Sequence, residues 1–162
     1  MEDYLVTQIS EYDSVQCPFE HIREAIRAAF QTYSDENGDA HIPMRVSLGE
    51  LKLEREVVAK LSPAPGYTGY EIFALHLAPT DAGPYPVFDG KLSATYEGGG
   101  YCRIDIYGEY VPPLGLAGAA FDAAVGKRFG QASVRDFLAL LKREVEAAAL
   151  LSLKPVEKPK QR

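Results

Sequence analysis

Hydrophobic and polar positions recur with two different periods along this chain, and the changes of period mark its elements. Ile22, Ala25, Ile26, Ala29, Phe30 and Tyr33 follow the i, i+3, i+4, i+7 rule, with Glu20, Arg23, Glu24, Arg27 and Gln31 on the opposite side. That spacing predicts an amphipathic helix with Pro18 in its first turn. Before it, Tyr4 to Gln16 mixes β-branched and aromatic residues with polar ones and predicts a first strand. A polar loop from Ser34 to Asp39 carries an Asn-Gly turn signal. From there the period falls to two. Met44 to Leu48 predicts a short strand, followed by a tight turn at Gly49-Glu50. Leu51, Leu53, Val57, Ala59 and Leu61 then alternate with Lys52, Glu54, Glu56 and Lys60, and Arg55 falls on the apolar side. Ser62-Pro63-Ala64-Pro65-Gly66 is expected to break that strand. Tyr70 to Leu77 forms the next, with Phe73, Leu75 and Leu77 inward. Val87 to Tyr96 and Tyr101 to Val111 make a hairpin across Glu97-Gly98-Gly99-Gly100, with Cys102, Ile104 and Ile106 inward.

The C-terminal third holds a long helical region. Phe121, Val125, Phe129 and Ala132 share one sector of it, and Val134, Phe137, Leu138, Leu141 and Val145 share another. The stripe therefore changes face near Gly130-Gln131-Ala132-Ser133. Glycine weakens a helix there, and Ser133 with Asp136 reads as a capping box. Either the helix kinks at that point or its front half covers something different from its back half. The order is thus strand, helix, five strands, helix. Strands joined by short turns are antiparallel neighbours, and one sheet covered by a long helix makes an α+β fold.

Composition narrows the partners. The chain has 162 residues and a formal net charge of −6, which disfavours a nucleic-acid backbone as partner. No apolar run approaches the roughly 20 residues of a bilayer span. The N-terminus, MEDYLVTQ, lacks a signal pattern, and the expected location is the cytoplasm. Two cysteines, Cys17 and Cys102, make no disulfide framework. Residues 1–152 read as one domain, and the basic, proline-bearing segment 153–162 reads as a disordered tail.

Several stretches taken in order resemble the SRPBCC or START-like superfamily. They are Cys17-Pro18-Phe19-Glu20 at the start of the first helix and Pro86-Val87-Phe88-Asp89-Gly90 opening a strand. They continue with Tyr107-Gly108-Glu109-Tyr110-Val111-Pro112-Pro113-Leu114-Gly115 and end with the terminal helical region. The resemblance runs from about Tyr4 to Ala148. That family includes birch-pollen allergens, START lipid-transfer domains, and polyketide cyclases and aromatases. It implies a helix-grip fold, in which a curved antiparallel sheet of six or seven strands wraps a long C-terminal helix. Six strands are counted here where the family often has seven, and no second short helix precedes Ile42. The resemblance also implies that the first strand pairs antiparallel with the last. Cys17 and Cys102 then become near-neighbours across that pair, with both thiols reduced.

The family further implies an apolar cavity between sheet and helix, which here would be lined by Leu53, Arg55, Val57, Phe73, Leu75, Phe88, Leu92, Tyr96, Ile104, Ile106, Tyr110, Phe121, Val125 and Phe129. The expected function is binding of a small hydrophobic or aromatic molecule, lipid-like or polyketide-like, without a cofactor. Arg55 is either a strand-end residue that reaches solvent or an anchor for a carboxylate or phenolate head. Among the ten tyrosines, Tyr96 and Tyr110 lie in register with inward positions. A cyclase, aromatase or dehydratase is the enzymatic alternative, and only Arg55 and the tyrosines offer it acid–base groups. His21, His41 and His76 lack metal-ligand spacing, and no nucleophile elbow or phosphate loop is present. A third reading is an interaction module or homodimer, through Val58, Ile72 and Ala74 on the outward face.

Overall fold

The computed structural model describes residues 7–48, 50–67, 70–80, 87–111 and 123–152, without the side chains at 46–48, 51, 53, 55, 66–67 and 123–126. The segments 1–6, 81–86, 112–122 and 153–162, with positions 49, 68 and 69, lie outside it, and so do the Pro-Pro-Leu-Gly corner and the basic tail. The element order is β1 (Thr7–Val15), α1 (Phe19–Gln31), β2 (Ala40–Leu48), β3 (Leu51–Tyr67), β4 (Tyr70–Pro79), β5 (Val87–Gly98), β6 (Tyr101–Val111) and α2 (Ala123–Ser152). The six strands form one curled sheet in the order β1-β6-β5-β4-β3-β2, antiparallel at every step. Only the β1–β6 pairing joins strands distant in sequence, and it has Val15 opposite Cys102.

The alternation on β4 and β6 holds as expected. Phe73, Leu75, Leu77, Cys102, Ile104 and Ile106 are all buried, while Ala74 and Glu109 are exposed. α1 buries Ile22, Ala25, Ile26, Ala29 and Phe30, and Tyr33 lies just beyond its end. Pro18 occupies the N-cap position, one residue outside the helix where it was expected within the first turn. Glycine supplies the β5–β6 hairpin, since Gly98, Gly99 and Gly100 all have positive φ.

Three expectations need correction. β2 starts at Ala40, not Met44, and pairs with β3 from Ala40 opposite Ala59. β3 does not end before Pro63. It stays paired with β4 through Ser62, Pro63 and Ala64, and its register shifts only between Ala64 and Tyr67. β2 pairing stops at Ala59, so beyond it β3 is an edge on that side, where a strand admits proline. Of the two alternatives that the sequence leaves open for the helical region, the kink is absent, and α2 is one continuous helix through Gly130. Phe129, Gly130, Ser133, Val134, Phe137, Leu138, Leu141, Val145 and Ala149 form an unbroken buried stripe, and Ala132 is only half-buried. Ser133 is no cap, because its hydroxyl donates to the Phe129 carbonyl one turn back, at 2.9 Å. Gly130 is there for room. A Cβ at that position would collide with Ile9 Cδ1 and come within 2.9 Å of the Tyr110 ring.

α2 is fastened along both of its flanks. Arg135 forms a two-pronged ion pair with Glu11 at 3.1 and 3.2 Å, and Lys142 Nζ lies 3.5 Å from Asp13. Glu11 and Asp13 share the parity of the buried Ile9 and Val15 and so lie on the face of β1 that α2 covers, where β1 presents carboxylates and α2 presents cations. On the other flank the Arg45 amide donates to Asp136, and the Tyr33 hydroxyl donates to Glu144, both at 3.2 Å. Between α1 and α2, Phe30 and Phe137 pack edge to face with centroids 6.1 Å apart.

Candidate functional site

The site follows from what α2 touches. It packs against α1 and against β1 and β2, the two edges of the sheet, and thinly against β6; its contacts with β3, β4 and β5 are sparse at most among the described residues. The helix therefore spans the concave face from edge to edge. Apolar side chains fill most of the space beneath it.

One row across the sheet runs Tyr110–Phe88–Leu77–Ala59–Ala40 by direct cross-strand pairing. Below the buried stripe of α2, this row borders a void of about 20 Å³, lined by Met44, Val57, Leu77, Phe88, Tyr110, Ser133 and Val134. That volume holds about one water. The lining is apolar apart from the Tyr110 and Ser133 hydroxyls.

A glycine pair lies next to Phe88, one of the residues that line this void. Gly90 and Gly108 face each other across β5 and β6 and share the parity of the inward Phe88 and Tyr110. A Cβ on Gly90 would collide with the Tyr107 carbonyl and lie 2.7 Å from Gly108 Cα. It would also meet the tip of the Phe88 ring at 2.9 Å. The two strands approach closely there, and the Phe88 ring folds over the gap that the missing side chains leave.

Of the expected lining residues, Val57, Phe88 and Tyr110 border the void. Phe73, Leu75, Leu92, Ile104, Ile106 and Phe129 are buried in the core without bordering it. Tyr96 is corrected outright, because its side chain is 61% exposed. It pairs with Cys102 by parity, but the register slips between Tyr96 and Gly98 and the ring stands in solvent at the hairpin end. The backbones of Leu53 and Arg55 lie in β3, with Arg55 opposite the buried Met44 and two residues from the buried Val57. Val125 belongs to the first turns of α2, and Phe121 lies outside the described residues. The sequence reading did not include Met44, Leu77, Ser133 and Val134 in the site. For Leu77 the available signal is its cross-strand pairing with Phe88, and for Val134 it is the helical spacing of the core-facing stripe of α2.

The expected outward patch does not assemble. Val58 pairs with Ala78, whereas Ala74 pairs with Ser62 and Ile72 with Ala64. Val58 thus lies four or more residues along the ladder from the other two. The outer face instead carries Arg103, which stacks 3.8 Å over the exposed Tyr12 ring and forks onto Asp105.

The cysteines lie together beneath the β1–β6 pair. Cys102 Sγ is 3.2 Å from the Cys17 carbonyl, and both thiols are free and buried. Burial pushes each to about 11, so at pH 8 about one part in a thousand is the reactive thiolate. A thiol reagent should leave the folded protein untouched and count two groups once it is unfolded. Rapid labelling of the native state would contradict this packing. Among the described residues, no cluster of three His, Cys, Asp or Glu side chains is placed to hold a metal ion, and no helix is long and apolar enough to cross a membrane.

No protein-family model and no curated protein matches this chain. Solved structures do. The Zhui aromatase/cyclase from Streptomyces sp. R1128 superposes with a TM-score of 0.56 at 10% identity, covering 92% of this chain and 96% of that one. A protein of Thermus thermophilus gives 0.54 at 12% identity, covering 88% and 99%. The di-domain ARO/CYC BexL gives 0.50 at 10% identity, covering 95% of this chain and 52% of that one.

Proposed function

We propose that this chain, which has the START-like helix-grip fold, holds a small apolar or aromatic molecule between the concave face of its sheet and α2. The observation that carries the reading is the seating of α2 on the two edge strands, over an apolar seam at Leu77, Phe88 and Tyr110 whose void of about 20 Å³ must widen, by movement of α2 off the sheet, to admit such a molecule. Sites for such molecules are concave and mostly apolar, with a few polar groups that set orientation. Tyr110 and Ser133 supply those groups here. Arg55, whose backbone pairs with Met44 in β3, is the cation that this reading assigns to an acidic or phenolic head.

Retention is favoured over turnover. Cyclase or dehydratase chemistry needs an acid or base that can reach the substrate. Tyr110 and Ser133 are the hydroxyl-bearing residues of the lining, and the Ser133 proton is committed to Phe129. Ligand-dependent stabilisation tests the proposal, since a molecule bound only by the folded state raises its melting temperature. In a panel of fatty acids, flavonoids and polyphenols, at least one class should raise the melting temperature in proportion to the logarithm of its concentration. A flat response across the whole panel would remove the reading.

A further inference from the structure

His41, the second residue of β2, lies on the outer side of the sheet between two carboxylates. Its Nε2 is 2.7 Å from Asp35 Oδ2 and its Nδ1 is 2.9 Å from Glu56 Oε1. Asp35 belongs to the connection between α1 and β2, and Glu56 belongs to β3. A neutral imidazole has one N–H and one bare lone pair. A carboxylate near neutral pH has no proton to offer that lone pair. Only the imidazolium makes both contacts at once. We propose that His41 is a pH-sensitive pin that fastens the α1–β2 connection to the sheet, closed while the ring is protonated and released when it loses that proton.

The pin acts on the whole turn because Asp35 organises it. The Asp35 carboxylate accepts from the backbone amides of Asn37 at 2.8 Å and Asp39 at 3.1 Å. The Asp35 amide donates to the Asp39 carbonyl, and the Gly38 amide donates to the Asp35 carbonyl. On the strand side, the His41 amide donates to the Tyr33 carbonyl at 2.9 Å, and the neighbouring Ala40 and Ile42 are core residues. The remaining groups around the ring are Asp39, Lys60 and His76. They share with His41 an open hollow of about 400 Å³, walled also by Val58, Ala78, Pro79 and Thr80. His76 has its own partner in Asp89 at 3.7 Å. Two carboxylates in direct contact outweigh the more distant cations. The hydrogen bonds to Glu56 and Asp35 hold His41 above the ordinary histidine range, and the bond to His41 holds Asp35 below the usual carboxylate range.

The sign of the pH dependence follows from those directions. The His41 contribution is complete below the unfolded-state histidine value and is lost as pH rises through the raised folded-state value. The Asp35 contribution is lost as pH falls through its lowered value. The pin is closed between the two. With both ring nitrogens engaged, His41 serves neither as a metal ligand nor as a free base.

An NMR titration of the three histidines tests the pin. One ring should titrate above the ordinary histidine range, and its signal should vanish in His41→Gln. Glu56→Gln should lower its midpoint while the protein stays folded. The amide resonances of Gly38 and Asp39 should follow the same midpoint in the wild type and lose that inflection in His41→Gln. A His41 midpoint within the ordinary histidine range, or Gly38 and Asp39 amides indifferent to that midpoint, would overturn the proposal.

Discussion

Gly90→Ala should melt roughly 10 °C below the wild-type protein, corresponding to a loss of about 3 kcal/mol or more. The added methyl meets backbone on two sides, the Tyr107 carbonyl and Gly108 Cα. Overpacking against a side chain can relax through a rotamer change, whereas overpacking against a neighbouring strand cannot. Relief here requires β5 and β6 to separate, and both are interior strands of the sheet. The Phe88 ring must also lift from the gap it covers. Gly99→Ala is the informative control. That position has nothing within 4 Å, and its φ of +61° is a left-handed conformation that alanine adopts at a cost of about 1 kcal/mol. Equal losses at the two positions would mean that turn conformation, not close strand approach, sets the value of Gly90. Differential scanning calorimetry of both variants measures the comparison.

Val134→Phe should abolish ligand-dependent stabilisation while leaving a folded protein. Val134 is 1% exposed on the buried stripe of α2 and borders the void together with Phe88, Leu77 and Tyr110. A benzyl group exceeds a space of about 20 Å³, so it takes up the void and presses on its walls, with an overpacking cost of about 1–3 kcal/mol. Affinity for a ligand that stabilises the wild type should fall by at least about tenfold, the equivalent of about 1.4 kcal/mol. Isothermal titration of the folded variant reads that loss. Unchanged affinity in a well-folded Val134→Phe protein would move the binding site elsewhere.

The periodic parts of this fold were legible in the sequence because one rule governs each. The stripe of α1 and the inward set Cys102, Ile104, Ile106 follow from spacing, and on β4, apolar on both faces, the inward set Phe73, Leu75, Leu77 follows because Tyr70, Ile72, Ala74 and His76 tolerate water better. The misread positions are those where a tertiary neighbour, not the local pattern, decides the outcome. Gly130 reads as a weak point of a helix, yet it is the contact against Ile9 and Tyr110 that lets α2 continue. Ser133 reads as a cap because the sequence does not show its bond to the Phe129 carbonyl. Pro63 reads as a stop because a strand's free edge is visible only once the sheet order is known. Tyr96 has the parity of an inward residue, and only the slipped register at the hairpin puts it in water. The Gly90–Gly108 pair, which lies next to Phe88, joins residues on two strands that only the pairing of β5 with β6 brings together. For the same reason the two carboxylates that hold His41, six residues before it and fifteen after it, gave no sign of themselves as a cluster.

The central claim is that a small apolar molecule sits between the sheet and α2. Methyl-detected NMR with a fatty acid or flavonoid from the stabilising class addresses it most directly. The methyl signals of Met44, Val57, Leu77 and Val134 should shift together with a single saturable midpoint, while those of Ile22 and Ile26 on the buried face of α1 stay in place. Perturbation confined to the outer face of the sheet, or no saturable shift at those four residues, would contradict the account.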